Sequence, residues 1–434
     1  MKIIIEPERR IPVVREVDVV VVGGGPAGFI TAVAAARNGA RTLLIERYGF
    51  LGGMATSALV GPFGLRDRER PVVEAIPKEF LDRLEAAGGA LRSYEGRWEE
   101  CAFDPEVFKY IADQMVEEAG AELLLHSFAC NTVVEENKIK AVIIENKSGR
   151  QAIVGKVFVD ATGDGDIAAL SGVPYEKGRK EDGLFQPMTL MYRLGNVKVE
   201  SIWADEKPLS EKMKEARKRG EVPPYRVCFG SPGSTIREGE ISVNTTRLYG
   251  DGTKVEDLTR AQVQGRKDVR KLVDFWRQHA PAYSQSHLID TAPQVGVRET
   301  RRIIGEYVLT ADDILNYRKF DDVIALGNWP IDLHDPTGGT KEADIAIHLK
   351  RDRAYQIPYR CLIPKEIDNL LVAGRCISTT REANGSTRVM PICMALGQAA
   401  GTAVALAVRH KVSPRNLDVS ILQKRLLEQG AKLE

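Results

Sequence analysis

Apolar positions along the chain change period several times, and each change predicts an element. Val17–Val22 reads as a short apolar strand of the kind found in a parallel sheet covered on both faces. The stretch "PAGFITAVAAARN", Pro26 to Asn38, has helical spacing and is closed by Gly39. "RTLLIE", Arg41–Glu46, predicts the next strand, with an acid as its last residue. Ala121–Asp166 reads as several short strands with turns at Glu136–Lys138 and Ser148–Arg150. Asn369–Ala373 predicts one more buried strand, and the small-residue stretch Pro391–Arg409 a helix. Between these lie an alternating strand over Gln186–Val197 and a charged, exposed helix "LSEKMKEARKRG" ended by Gly220. A second helix follows, with Leu258, Val269, Leu272, Val273 and Trp276 at helical spacing, then strands near Ser286–Thr291 and Val297–Ile304. The order predicts an α/β fold: a doubly wound, Rossmann-like nucleotide-binding domain in two pieces, residues 1–176 and 355–434. A mixed α+β substrate domain is expected as an insertion over 177–354.

Composition narrows the function. With 43% hydrophobic residues in 434, a large core is available. The 61 basic and 60 acidic residues nearly cancel, which argues against a general grip on nucleic acid or an anionic membrane. The six cysteines include no CxxC pair, so neither a zinc ribbon nor a redox disulfide of that type is indicated. The N-terminus is too charged for a signal peptide, and no apolar run is read as reaching the roughly 18–20 residues that cross a bilayer. A cytoplasmic protein with a small-molecule substrate is expected, with no nucleic-acid or membrane partner; a homo-oligomer and the external electron carrier stay open.

Gly23-x-Gly25-x-x-Gly28 joins the first strand to the first helix. Gly23 permits the tight turn, Gly25 lets the backbone approach a pyrophosphate, and Gly28 lets helix and strand pack closely. Amides at the helix start face the phosphates. Glu46 stands where an acid accepts hydrogen bonds from a ribose. The fingerprint alone does not separate FAD from NAD.

The surrounding motifs make that choice. "GGGPAG…ER.GFLGG" near the N-terminus and "AGRCIS…GS.RVMP.CMA.GQAAG" near the C-terminus resemble the FAD-dependent oxidoreductase family of the glutathione-reductase-like FAD superfamily. The resemblance covers nearly the whole chain and implies FAD as cofactor. It implies that Gly23, Gly25, Pro26, Ala27 and Gly28 surround the pyrophosphate and that Glu46, with Arg47 beside it, holds the adenosine ribose. Gly52, Gly53, Met54 and Ala55 would line the pyrophosphate and ribityl side, and Ala129 would meet the adenine. Ala161, Thr162 and Gly163 would form the second dinucleotide contact, with Met390 and Pro391 at the start of a helix aimed at the flavin. Gly374 and Arg375 stand where many relatives carry Gly-Asp; Arg375 cannot accept hydrogen bonds, and a phosphate is its alternative partner.

Only one dinucleotide fingerprint is present, since "GSPGST" and "DPTGGTKEAD" lack the strand before and the helix after. Electrons are therefore expected to pass between FAD and a bound substrate or external carrier. Candidate catalytic residues are Arg388, which could clamp an anion, and Arg298 in "GVRETRR", where a strand would place Arg298 and Arg302 on one face. His334 in the loop "NWPIDLHDPTGG" suits a base near neutral pH, and Tyr359 is its alternative. The expected reaction is hydride transfer between a polar or anionic small molecule and flavin N5. The alternatives are an electron-transfer subunit of a larger complex and a flavin-dependent RNA-modifying protein.

Overall fold

A computed structural model describes residues 3–61, 63–64, 72, 74–93, 100–225, 230, 233–337, 345–350 and 352–434. Cys228 and parts of "GSPGST" and "DPTGGTKEAD" lie outside the described residues.

The first strand, β1 (Val13–Val22), the first helix, α1 (Pro26–Arg37), and the second strand, β2 (Thr42–Ile45), appear in the expected order. In the main sheet Glu122–Leu124, β2, β1 and Gly149–Asp160 lie side by side and parallel. The strand Gly149–Asp160 then divides its other edge. Its first half pairs antiparallel with Lys138–Asn146, and its last residues pair parallel with Leu370–Val372. This double duty explains a correction to the sequence reading. The strands from Phe128 to Asp160 are not short but 8, 9 and 12 residues long. The expected turn is present, with Glu136 and Asn137 both at positive φ, as a two-residue hairpin turn requires.

The helix Met390–His410 packs along α1 through small residues. A Cβ at Gly397 would fall 2.2 Å from the Ala27 carbonyl oxygen, so the backbones could not approach as they do with any larger residue. Thr31 Oγ1 donates to the Gly397 carbonyl across this contact. By length and composition this helix is apolar enough to cross a membrane, contrary to the sequence expectation. Nearly all of it is buried between α1 and the sheet, so it is the core helix of the fold.

Among the described residues two large hydrophobic cores form, beside a small cluster of Ala141, Ile143 and Ala152. The larger draws on residues up to Val173 and again on residues from Ile303 to Leu433. The smaller takes most of its residues from Met188 to Val297. It is built on a three-stranded antiparallel sheet, Ile241–Val243, Tyr192–Gly195 and His287–Thr291, with the helices Ile202–Lys218 and Val255–His279. Here the sequence reading needs three adjustments. Only Tyr192–Gly195 of the expected strand joins the ladder; Met188 and Thr189 make single bridges to Leu248 and Gly296. The charged helix begins at Ile202 and buries Leu209, Met213 and Ala216 along one face, so it is not wholly exposed. Of Val297–Ile304, only Arg301–Ile303 is a regular strand. The carbonyl of Val297 accepts from Arg375 instead of from a neighbouring strand.

Candidate functional site

A cavity of about 420 Å³ opens where the parallel strands end. Val22, Glu46, Ala161 and Ala373, at or just past the carboxyl ends of four strands, all line it. Ligands of open α/β sheets bind at this edge, and the volume falls within the usual range for small-molecule sites.

The glycine turn forms part of its lining. A Cβ on Gly28 would lie 1.7 Å from the Gly23 carbonyl oxygen, and one on Gly23 would lie 2.5 Å from that of Ala161. Both positions are fixed by packing. A Cβ on Gly25 would meet nothing nearer than the Gly53 Cα at 3.8 Å, so Gly25 keeps the cavity side clear rather than relieving a contact. Gly25 is also the N-cap of α1, no side chain caps this terminus, and Pro26 carries no amide hydrogen. The first-turn amides are thus suited to an anion.

Glu46 is buried, its Oε2 accepting from the Gly24 amide at 2.5 Å and its Oε1 from the Tyr48 amide at 2.9 Å. Burial pushes its pKa up against these bonds. Each oxygen keeps a lone pair for a ligand hydroxyl. Arg47 donates to Gln294 Oε1 at 3.2 Å, and Ala129 lines the cavity nearby.

The second turn, Ala161–Gly163, is held from beneath by Asp160. This fully buried carboxylate accepts from the Thr162 amide and hydroxyl and from the Ala168 amide, and burial pushes its pKa up to about 6. Arg375 lines the cavity but is tied elsewhere. Nε donates to the Gly163 carbonyl, Nη1 to that of Val297 and Nη2 to Asp164 Oδ1 at 2.6 Å. Its charge is matched by Asp164, and the guanidinium joins the Gly163 turn to Val297.

Charged side chains from three further segments line the same cavity. Arg298 donates to the Pro187 carbonyl and to Thr189 Oγ1, both at 2.7 Å, and to Asn244 Oδ1 at 3.3 Å. Asp332 belongs to the short strand Ile331–Leu333, with His334 directly after it. His334 Nε2 lies 3.4 Å from Asp332 Oδ2, and Arg388 Nη2 lies 3.3 Å from the same oxygen. Arg388 stands at the junction of the helices Arg381–Thr387 and Met390–His410, whose first residues also line the cavity. Burial alone would raise the pKa of Asp332. The His334 hydrogen bond and the charges of Arg388, His334 and Arg298 outweigh it and hold the carboxylate well below its ordinary range. Burial lowers the pKa of Arg388, and Asp332 pulls it back.

Most of the expected site residues therefore converge on one cavity, with exceptions. Gly28, Gly52 and Ala55 lie behind its wall, where Gly52 donates its amide to the Gly24 carbonyl. Tyr359 does not reach it: the side chain is buried and its hydroxyl donates to the Pro414 carbonyl at 2.9 Å. Arg298 and Arg302 do not share a face, because the backbone between them is not a regular strand. Arg302 turns to the Gly178 carbonyl and Glu176. Cys376 and Cys393 are buried thiols with pKa values pushed up by burial, as expected of packing residues. The sequence reading missed Asp332. Its signal was the Asp332-x-His334 alternation, which puts both side chains on one face of an extended segment.

A glycine turn at the end of β1, an acid ending β2 and a second turn beside them define a dinucleotide-binding α/β protein. The chain belongs to the FAD dependent oxidoreductase family, whose profile matches residues 18–426. This family is one of FAD-dependent oxidoreductases, and FAD is the cofactor that membership in it gives. Among curated proteins it is 31% identical over 156 residues to a thiamine thiazole synthase of Methanococcus vannielii, covering 34% of this chain and 56% of the relative. It is 30% identical over 156 residues to digeranylgeranylglycerophospholipid reductase 1 of Methanopyrus kandleri, covering 34% and 40%. The chain thus spans about half the length of these relatives or less. A solved geranylgeranyl bacteriochlorophyll reductase-like protein from Thermoplasma acidophilum shares the fold at 14% identity. Its TM-score is 0.52, covering 96% of this chain and 84% of that one.

Proposed function

We propose that this enzyme transfers a hydride between a polar or anionic small molecule and flavin N5, in an arrangement of the glutathione-reductase type. Residues 1–176 and 355–434 hold the FAD in this reading, and 177–354 shape the substrate side. The enzyme works in the cytoplasm without a nucleic-acid or membrane partner. One observation carries the reading. Arg298, Asp332, His334 and Arg388 line the same cavity as the glycine turn and Glu46, with Arg388 and His334 meeting at the Asp332 carboxylate.

Bound FAD supplies a hydride acceptor or donor at N5. The chain supplies the rest. Gly23, Gly25, Pro26 and Ala27 would bring the start of α1 to the pyrophosphate, and Gly53, close to Gly25, and Met54 would line the same part. Glu46 would accept the ribose hydroxyls, Ala129 would meet the adenine, and Ala161, Thr162 and Gly163 would form the second contact, with Gly374 lining the same cavity. The start of the helix at Met390 and Pro391 favours negative charge beside it. Arg388 and Arg298 bind a carboxylate of the substrate, and their planar donor forks suit two-point contact. His334 takes the proton from a substrate hydroxyl or amine while the carbon gives up its hydride. Met191 and Trp329 give the same cavity apolar surface that excludes water.

Anaerobic mixing of the yellow holoenzyme with a panel of hydroxy and amino compounds tests this. Bleaching by a polar or anionic member is the expected result. Rapid, saturable bleaching by NADH or NADPH alone at micromolar concentration (on the order of an ordinary KM) would count against it, since the chain carries one dinucleotide fingerprint.

A further inference from the structure

Asp332 sits where an anionic ligand would sit. Its Oδ2 lies 3.3 Å from Arg388 Nη2 and 3.4 Å from His334 Nε2, and its backbone carbonyl also lies 3.3 Å from Arg388 Nη2. The charge of Arg298 acts on the same carboxylate. The side chain is 31% exposed, so its charge faces the cavity rather than the core.

The charges lining the cavity are four arginines against three carboxylates, one positive charge in excess among the described residues. Arg47 stands beside Glu46, Asp166 is paired with Arg301, and Arg375 with Asp164, the partners Arg301 and Asp164 lying outside the lining. The charges of Arg298 and Arg388 both act on Asp332, while Glu299, whose charge also reaches Arg388, is paired with Arg381. We infer that Asp332 is a specificity-determining residue that limits the substrate to a single negative charge, by offsetting one of the two arginines and repelling a second anionic group. The inference rests on the proposed anion-binding role of the same wall and adds the charge class of the ligand. A carboxylate this close to a bound anion acts through a poorly screened medium, so its removal changes affinity according to ligand charge.

The test is calorimetric titration of the FAD-loaded enzyme with butyramide, butyrate and succinate, which share a four-carbon frame and differ in charge. The native enzyme is expected to prefer butyrate to both others. Asp332→Asn should raise the affinity for succinate relative to butyrate at least tenfold, while Asp332→Glu keeps the native order. A purely structural role would weaken all three ligands alike. FAD content reports folding, and Asp332→Ser reads the same charge change if the asparagine variant folds poorly. A succinate-to-butyrate ratio that stays within twofold in the charge-removing variants, with butyrate still bound, would overturn the inference and leave the anion-binding wall standing. If the native enzyme binds butyrate no better than butyramide, the anion-binding reading itself fails, and the inference with it.

Discussion

His334→Ala is expected to slow flavin reduction by about 10²–10⁴-fold, the usual contribution of a positioned acid–base group. FAD content should stay near that of the native enzyme, because His334 belongs to a different segment from the glycine turn and Glu46. The geometry behind the expectation is specific. The backbone amide of His334 donates to Gln186 Oε1 at 3.1 Å, and Nε2 faces Asp332, so both the chain and the ring are oriented before a substrate arrives. Gln186 is in turn held by Glu299, which accepts from its amide at 2.7 Å. Stopped-flow reduction under saturating substrate reads the rate directly. A change of less than threefold would remove His334 from the chemistry.

Arg388→Ala is expected to weaken binding of an anionic substrate by roughly 2–5 kcal/mol, the cost of removing one partner from a desolvated charge pair. Two losses add here. The anion loses its guanidinium, and the carboxylate of Asp332, no longer shared with Arg388, repels it more strongly. Arg388→Lys should recover only part of the loss, since an ammonium cannot make the two-point contact of a guanidinium. The effect should appear in KM or Kd more than in the rate at saturation, the reverse of His334→Ala. Equal affinity in native and alanine enzymes would place the anion site elsewhere.

The two expected phenotypes depend on parts of the molecule that differ in how far the sequence reveals them. The order of the β1–α1–β2 unit was legible, because turn, helix start and acid follow one another within the chain and each has a local physical task, although β1 begins at Val13 rather than Val17. The helix Met390–His410 was legible for a similar reason: its small residues are spaced to let another backbone approach. Arg298, His334 and Arg388 could be singled out by residue type and setting. That they meet depends on contacts between segments far apart in sequence. Arg375 shows the limit most clearly. Its side chain was recognisable as the wrong chemistry for a hydrogen-bond acceptor, yet nothing local reveals that it reaches the Val297 carbonyl. The same contact helps explain why Val297–Ile304 does not form the regular strand that its pattern suggests. Tyr359 was misleading because a buried tyrosine whose hydroxyl bonds a distant carbonyl looks, in sequence, like any loop tyrosine.

The most direct test of the central claim is a crystal structure of the enzyme with FAD and a substrate analogue bound. The account predicts the pyrophosphate over the Gly25 turn, and the flavin ring in the part of the cavity lined by Arg298, Asp332, His334 and Arg388. Arg388 and His334 should lie within hydrogen-bond reach of the analogue, directly or through one water. A flavin ring more than about 10 Å from both side chains, too far for either to bind or move a proton at the reacting carbon, would contradict it.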